Sequence, residues 1–190
     1  MKNNLKIAIL ITLVTTVLFG VIYPLAVTAL AQVLFPTQAN GSLIQKNGQV
    51  LGSQLLGQAF SALGYFHSRP SSAGTGYDAS QSSPSNLGPT NHQLVDRVKT
   101  DVGKLQAENP SVPVPVDLVT SSGSGLDPEV SPAAAEFQIP RVARERGISE
   151  ADIRSLVAKH TLARQFGVLG EPRVRILELN LDLDATHPKK

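Results

Sequence analysis

An α+β exported domain tethered by one N-terminal transmembrane helix is the architecture that three features of this chain predict. No charged residue lies between Lys6 and Lys46, and Ile7 to Phe35 inside that gap is almost wholly apolar. The residues that follow mix helical spacings of apolar side chains with short extended runs. Cysteine is absent from all 190 residues, so the second part must stand on packing alone, with no disulfide framework, zinc knuckle or thiol nucleophile.

The apolar run, IAILITLVTTVLFGVIYPLAVTALAQVLF, has 29 residues. About 20 helical residues cross the hydrocarbon core of a bilayer. A charge at mid-bilayer would cost on the order of 3 kcal/mol, and the run contains none. The reading is therefore residues 1–6 as a cytoplasmic flank, 7–35 as the transmembrane helix and 36–190 as the exported domain. Lys2 and Lys6 precede the run, and positive flanks stay inside, which puts the N-terminus in the cytoplasm and the bulk outside. A signal peptide also begins with a positive flank, and Ala29-Leu30-Ala31 matches its small-x-small cleavage pattern. Its apolar core, however, is about 7 to 15 residues long. Both readings give one topology. In a retained helix, Pro24 predicts an unpaired Gly20 carbonyl and a kink.

Lys2 and Lys6 also account for the formal charge of +2; the other 15 basic residues balance 15 acidic ones. The pI near 9.0 is thus no nucleic-acid signal, and basic and aromatic residues do not interleave along a face.

Along the exported part, Pro36–Gly41 reads as a linker. Ser42–Gly52 reads as a hairpin turning at Asn47-Gly48, because both residues tolerate positive φ. Leu55, Leu56, Ala59, Phe60 and Leu63 have helical spacing. Residues 64–90 are rich in Gly, Ser and Pro, without periodicity. The embedded Tyr65, Phe66, His67, Arg69, Tyr77 and Asp78 mark them as an ordered functional loop. Asn91 caps a helix whose apolar face is Leu94, Val95, Val98, Val102 and Leu105. Pro113 and Pro115 keep the next stretch extended and off any central strand. Ser131-Pro132 opens a helix that Pro140 should kink or end. Ser149 caps another, with Asp152 at the capping-box position. Val174–Leu183 reads as a closing strand whose register shifts at Ile176-Leu177, as at a bulge.

Catalytic and metal sites find no support. The four histidines, at 67, 92, 160 and 187, share no metal spacing. Ser121-Ser122-Gly123-Ser124-Gly125 fits no G-x-S-x-G frame and lacks the G-K-[ST] ending of a phosphate loop. Gly-rich backbone running into Asp127-Pro128 and a capped helix could hold an anion or a partner's backbone; the plain alternative is a tight turn. Arg141 and Glu145 form an i, i+4 pair on a solvated face. Labelling of Ser122 or Ser124 by a reactive phosphonate would mark an exported serine hydrolase, and an exported, membrane-anchored ligand-binding module is the remaining rival.

Three long strings decide among these classes. They are YFHSRPSSAGTGYDA with SNLGPTN (65–79, 85–91), VTSSGSGLDPEVSP with Gln138 and RVARERG (119–147), and LGEPRVRILELNLDLD (169–184). Together with the anchor, the order and the length, the chain resembles the C subunit of the bacterial Kdp potassium-transporting P-type ATPase. The resemblance implies that the helix is retained. It also implies a non-catalytic subunit of a plasma-membrane complex, beside a channel-like potassium-binding subunit, a P-type ATPase subunit and a small stabilising peptide. ATP and potassium then act on the complex, and the C subunit serves as assembly factor and catalytic chaperone that raises ATP affinity. Gln138 stands where the family's glutamine follows SP-x-x-A, a position proposed to contact nucleotide. Ser68 and Ser71-Ser72, where glycine or alanine is common, and Pro140 depart from the pattern. Positive-inside topology places Gln138 outside the cell, away from ATP, so the two implied roles conflict. The expectation is a docking surface formed by Tyr65, Phe66, His67, Arg69, Tyr77, Asp78, Ser122, Gly123, Gly125, Asp127, Gln138 and Arg141, with Gln138 as an exposed amide.

Overall fold

A computed structural model describes residues 2–188. The chain divides into two compact units, one ending at Leu51 and the other beginning at Gly52.

The first unit is dominated by a continuous helix, Lys2–Leu34, long and apolar enough to cross a membrane. It comprises α1 (Lys2–Val17), a π turn (Leu18–Ile22) and α2 (Tyr23–Leu34). Where Pro24 predicts a kink, the backbone instead shifts its frame. The Tyr23 N–H reaches the Leu18 carbonyl, and this one wide turn accommodates the missing donor without a break. The Thr15 hydroxyl donates back to the Ile11 carbonyl at 2.8 Å, so the polar side chain is satisfied within the helix. The expected linker is a helical turn, α3 (Pro36–Ala39), closed by paired amides of Gln32 and Asn40. The hairpin forms as expected, with β1 (Leu43–Lys46) and β2 (Gln49–Ser53). Asn47 and Gly48 have φ of 53° and 78°, both left-handed as a type I′ turn requires.

The second unit places helices on a small antiparallel sheet, the predicted α+β class. Its elements are α4 (His92–Glu108), a 3₁₀ turn (Val116–Leu118), β3 (Glu129–Val130), α5 (Pro132–Arg146), α6 (Glu150–Lys159), β4 (Thr161–Leu162), β5 (Arg173–Arg175) and α7 (Ile176–Thr186). Strand order is β3-β5-β4, with Val174 opposite Val130 on one side and Thr161 on the other. The core gathers Val130, Phe137, Ile139, Val142, Ile153, Val174, Ile176, Leu179 and Leu183. One of its fully buried members, Phe66, comes from the long loop.

The helix starts follow their caps. Asn91 Oδ1 accepts from the Gln93 N–H at 2.8 Å, and Ser131 Oγ accepts from that of Ala134 at 3.0 Å. The Asp117 carboxylate fixes Ser131 in turn by accepting from its N–H and hydroxyl. Ser149 Oγ accepts the Asp152 N–H, and its hydroxyl in turn donates to the Asp152 carboxylate, which thus takes the cap's hydroxyl rather than its backbone N–H. α5 runs through Pro140 to Gly147, whose φ of 65° closes it. The helix continues through the proline, and one carbonyl of the turn before it takes a tertiary donor as well. Asn109 Nδ2 donates to the Phe137 carbonyl at 3.1 Å.

Two elements differ from expectation. Val174–Leu183 is a strand only through Arg175; Ile176–Thr186 is helical. The adjacent Ile176-Leu177 marks a change of period from 2 to 3.6, and Ile176, Leu179, Asn180 and Leu183 become the buried face. Gln54–Leu63 forms no helix. The Gly57 N–H bonds the Leu126 carbonyl at 2.8 Å, so a contact distant in sequence overrides the local spacing, and Leu55 and Leu63 stay exposed.

A Cβ on Gly57 would lie 2.4 Å from the Asp127 carbonyl oxygen, whereas one on Gly103 in α4 meets open space. Gly57→Ala should therefore destabilise the chain by about 2 kcal/mol, and Gly103→Ala should stabilise it by roughly 0.5–1 kcal/mol. Denaturant unfolding of the full chain in detergent, followed by circular dichroism, checks both.

Candidate functional site

The 64–90 loop is folded, and two structures hold it. At its start the extended backbone of Phe66 and His67 lies between α5 and α7. Asn180 on α7 treats Phe66 as a strand neighbour would: Oδ1 accepts the Phe66 N–H and Nδ2 donates to the Phe66 carbonyl, both at 2.9 Å. Gln138 on α5 does the same to His67, with Oε1 accepting its N–H at 2.8 Å and Nε2 donating to its carbonyl at 3.1 Å. The remaining hydrogen of Nε2 goes to the Ala134 carbonyl, and Oε1 also accepts from the Arg141 guanidinium. A primary amide has two donor and two acceptor positions, and all four on Gln138 are taken inside the chain. Its residue is 2 % exposed, which corrects the expectation of an exposed amide.

Arg141 is likewise no surface residue, at 4 % exposure. Its guanidinium donates to the Leu63 and Tyr65 carbonyls and meets the Glu108 carboxylate at 3.1 Å. Burial lowers its pKa and Glu108 counteracts this, so the buried cation is paired, as burial requires. One turn further along, Arg146 donates to the Gly64 carbonyl, pairs with Asp184 at 2.8 Å and lies 4.6 Å from the centre of the Tyr65 ring. The Tyr65 hydroxyl donates to Asp184, and that bond, with burial, raises its pKa.

The rest of the loop is bound to the Ser/Gly turn. Ser71 Oγ donates to the Gly125 carbonyl at 2.6 Å and accepts from the Tyr77 N–H at 2.7 Å. The Ser83 N–H and the Ser82 hydroxyl both donate to the Ser124 carbonyl. Arg69 pairs with Asp127 at 3.0 Å and also donates to the Thr120 carbonyl. The Tyr77 hydroxyl donates to the Arg69 carbonyl. Gly125 cannot carry a side chain. Its φ is 69°, and a Cβ would sit 2.6 Å from the Ser83 carbonyl oxygen and 2.7 Å from the Ala73 nitrogen. Ser122 Oγ accepts the Gly125 N–H, and Ser124 Oγ accepts that of Leu126. These two amides are thereby withdrawn from any anion, and the turn acts as a docking seat for the loop. Gly123 is exposed, with open space where a Cβ would be.

Asp78 stands apart from both holds. It accepts from the Ser80 N–H and hydroxyl and from Gln81, and the Ser80 bonds hold its carboxyl below the usual range. It shapes the loop's own tip.

Between the loop and α4 lies a cleft of about 340 Å³. Phe60, Leu105 and Leu118 give it an apolar lining; His67, Arg69, Lys104, Asp101 and Glu108 bring both signs of charge. Burial, then Arg141, lowers the His67 pKa, which favours the neutral ring, with Nε2 3.1 Å from the Ala62 carbonyl. The mixed lining suits a polar or zwitterionic group more than a phosphate chain. Among the described residues no group of three His, Asp or Glu side chains could hold a metal.

The structure thus joins Tyr65, Phe66, His67, Gln138 and Arg141 in one cluster, and Arg69, Tyr77, Gly125 and Asp127 in another. Sequence reasoning misses Asn180, Arg146, Glu108 and Asp184. The available signal for Asn180 was one amide inside an apolar run, hidden because that run reads as a strand.

Comparison with known proteins bears on the same residues. The family model described as "KdpC: K+-transporting ATPase, c chain" matches residues 5–185. A Koribacter versatilis protein named potassium-transporting ATPase KdpC subunit is 62 % identical over 188 residues, covering 99 % of this chain and 97 % of the relative. Proteins of the same name from Acidobacterium capsulatum and Rhodopseudomonas palustris (strain BisB18) are each 56 % identical; the alignments cover 97 % of this chain and 100 % and 99 % of the relatives.

Removing one amide leaves its backbone partners buried and unpaired, at about 1–3 kcal/mol. Gln138→Ala should speed hydrogen exchange chiefly at the His67 amide, and Asn180→Ala chiefly at that of Phe66. Residue-resolved exchange on the full chain checks this, and equal effects of both variants at both amides would contradict it.

Proposed function

The chain belongs to the KdpC family of potassium-transporting ATPase C chains, and on that premise we propose that it is a non-catalytic docking subunit of the Kdp complex. Its helix anchors it with the N-terminus in the cytoplasm, residues 36–190 stand outside, and the exported domain sits over the outer mouth of the potassium-binding subunit. The ATPase subunit and the small stabilising peptide complete the assembly. The lysines ahead of an uncharged run support this orientation.

One observation carries the docking reading over direct nucleotide contact: every hydrogen-bonding position of the Gln138 amide is used within the chain. A nucleotide could bind that amide only by releasing the loop. Gln138 acts instead by fixing the loop that carries the half-buried Arg69, Tyr77 and Asp78, and the outer face of that loop forms the partner surface. A change in ATP affinity then follows from assembly, as a coupling between distant sites.

Gln138→Ala is expected to weaken co-purification of the full chain with the other subunits, and to lower apparent ATP affinity in dilute complex about tenfold, a loss of about 1.4 kcal/mol of coupling. Raising subunit concentration should restore the affinity. Saturable ATP binding by the isolated full chain, abolished by Gln138→Ala, would overturn the docking role.

A further inference from the structure

The loop between β4 and β5 ends in a narrow turn unlike the rest of the second unit. Gln165 and Leu169 exchange both backbone hydrogen bonds at 2.9 Å, and the turn above them holds Phe166, Val168 and Leu169 at 86 %, 72 % and 56 % exposure. Elsewhere in this unit large exposed apolar side chains stand singly or as the pair Leu55-Leu56. Phe166 and Gly167 have φ of 52° and 78°, the two left-handed positions of a type I′ turn, and a phenylalanine rarely occupies such a position. No charge lies from Gln165 to Gly170. The first charged residues on either side, Arg164 and Glu171, pair with each other at 2.6 Å and close the base of the turn as a neutral collar.

We propose that this turn is a second membrane contact, inserting Phe166, Val168 and Leu169 into the interfacial layer of the bilayer that holds the helix. The proposal rests on the anchored reading given above. Three observations favour lipid. The helix ends at Leu34 and the second unit begins at Gly52; fewer than 20 residues lie between them, spanning at most roughly 60 Å even when extended. The tether keeps a lipid surface within reach at high effective concentration, so a contact too weak to recruit a free domain can persist. The apolar residues occupy the end of a thin projection rather than a flat face, which suits a medium that yields around them. The neutral collar places no demand for a charged partner beside the tip.

The chain contains no cysteine, so single labels report single positions. Val168→Cys carrying an environment-sensitive fluorophore is prepared in the full chain in phosphatidylcholine nanodiscs, with and without nitroxide on the lipid acyl chains. Val14→Cys in the helix and Lys99→Cys on the exposed face of α4 are the references. Quenching at position 168 should exceed that at 99 by at least about threefold, and Phe166→Ser with Leu169→Ser in the labelled chain should bring it down to the level at 99. Quenching at 14 but not at 168 overturns the contact. If position 168 then becomes shielded only on assembly with the other subunits, the turn docks on protein instead. Loss of quenching at 14 as well refutes the anchor, and the contact with it.

Discussion

Two side-chain amides substitute for a missing strand, and the second unit depends on them. Phe66 and His67 run extended between α5 and α7 with no backbone neighbour to take their four polar groups. Asn180 serves one residue and Gln138 the next, from opposite sides, as successive residues of an extended chain require. Only with those groups satisfied can the Phe66 ring sit in the core at 0 % exposure, since unpaired backbone buried beside it would cancel much of the gain. Arg141 and Arg146 extend the same device to the carbonyls of Leu63, Gly64 and Tyr65. A loop of Gly, Ser and Pro thereby gains a fixed path without secondary structure of its own.

What the sequence discloses follows the range of the interactions concerned. The apolar helix, the Asn47-Gly48 hairpin and the caps at Asn91, Ser131 and Ser149 are local, and each is legible from a few neighbouring residues. The helix through Pro140 is not, because a proline read locally marks an end, and the turn before it is met by Asn109, 28 residues from its partner Phe137. Nor is the extended path at Gly57, set by Leu126. The residues of the candidate site could be picked out as types too specific for a linker, yet their burial could not. An arginine and a glutamine on a helix look solvated until a loop some 70 residues upstream folds over them. Misreading the last segment as a strand also hid Asn180, since a wrong period assigns a side chain to the wrong face.

The family assignment and the geometry meet at Gln138. A glutamine in a helix beside a glycine-rich turn invites a ligand-binding role when viewed as a motif. Its actual partners are a loop backbone, its own helix and a buried arginine. The Ser/Gly turn shows the same pattern, with serine hydroxyls closing the turn and its carbonyls receiving the loop. Both features hold the loop and its polar side chains in one shape.

The join between Phe66 and Asn180 also sets an order of events in time. Those residues are 114 positions apart, and Tyr65 and Asp184 are 119 apart. Closing contacts of such separation is slow, because chain entropy is lost before any bond returns it. On a chain made from its N-terminus, the loop is complete long before α7 exists to receive it. Phe66 and the apolar faces of α5 and α6 must wait without their last wall until α7 is synthesised. The nascent chain therefore passes through a stage with adhesive surfaces uncovered, and a chain that lacked α7, Ile176–Thr186, would stay in that stage permanently.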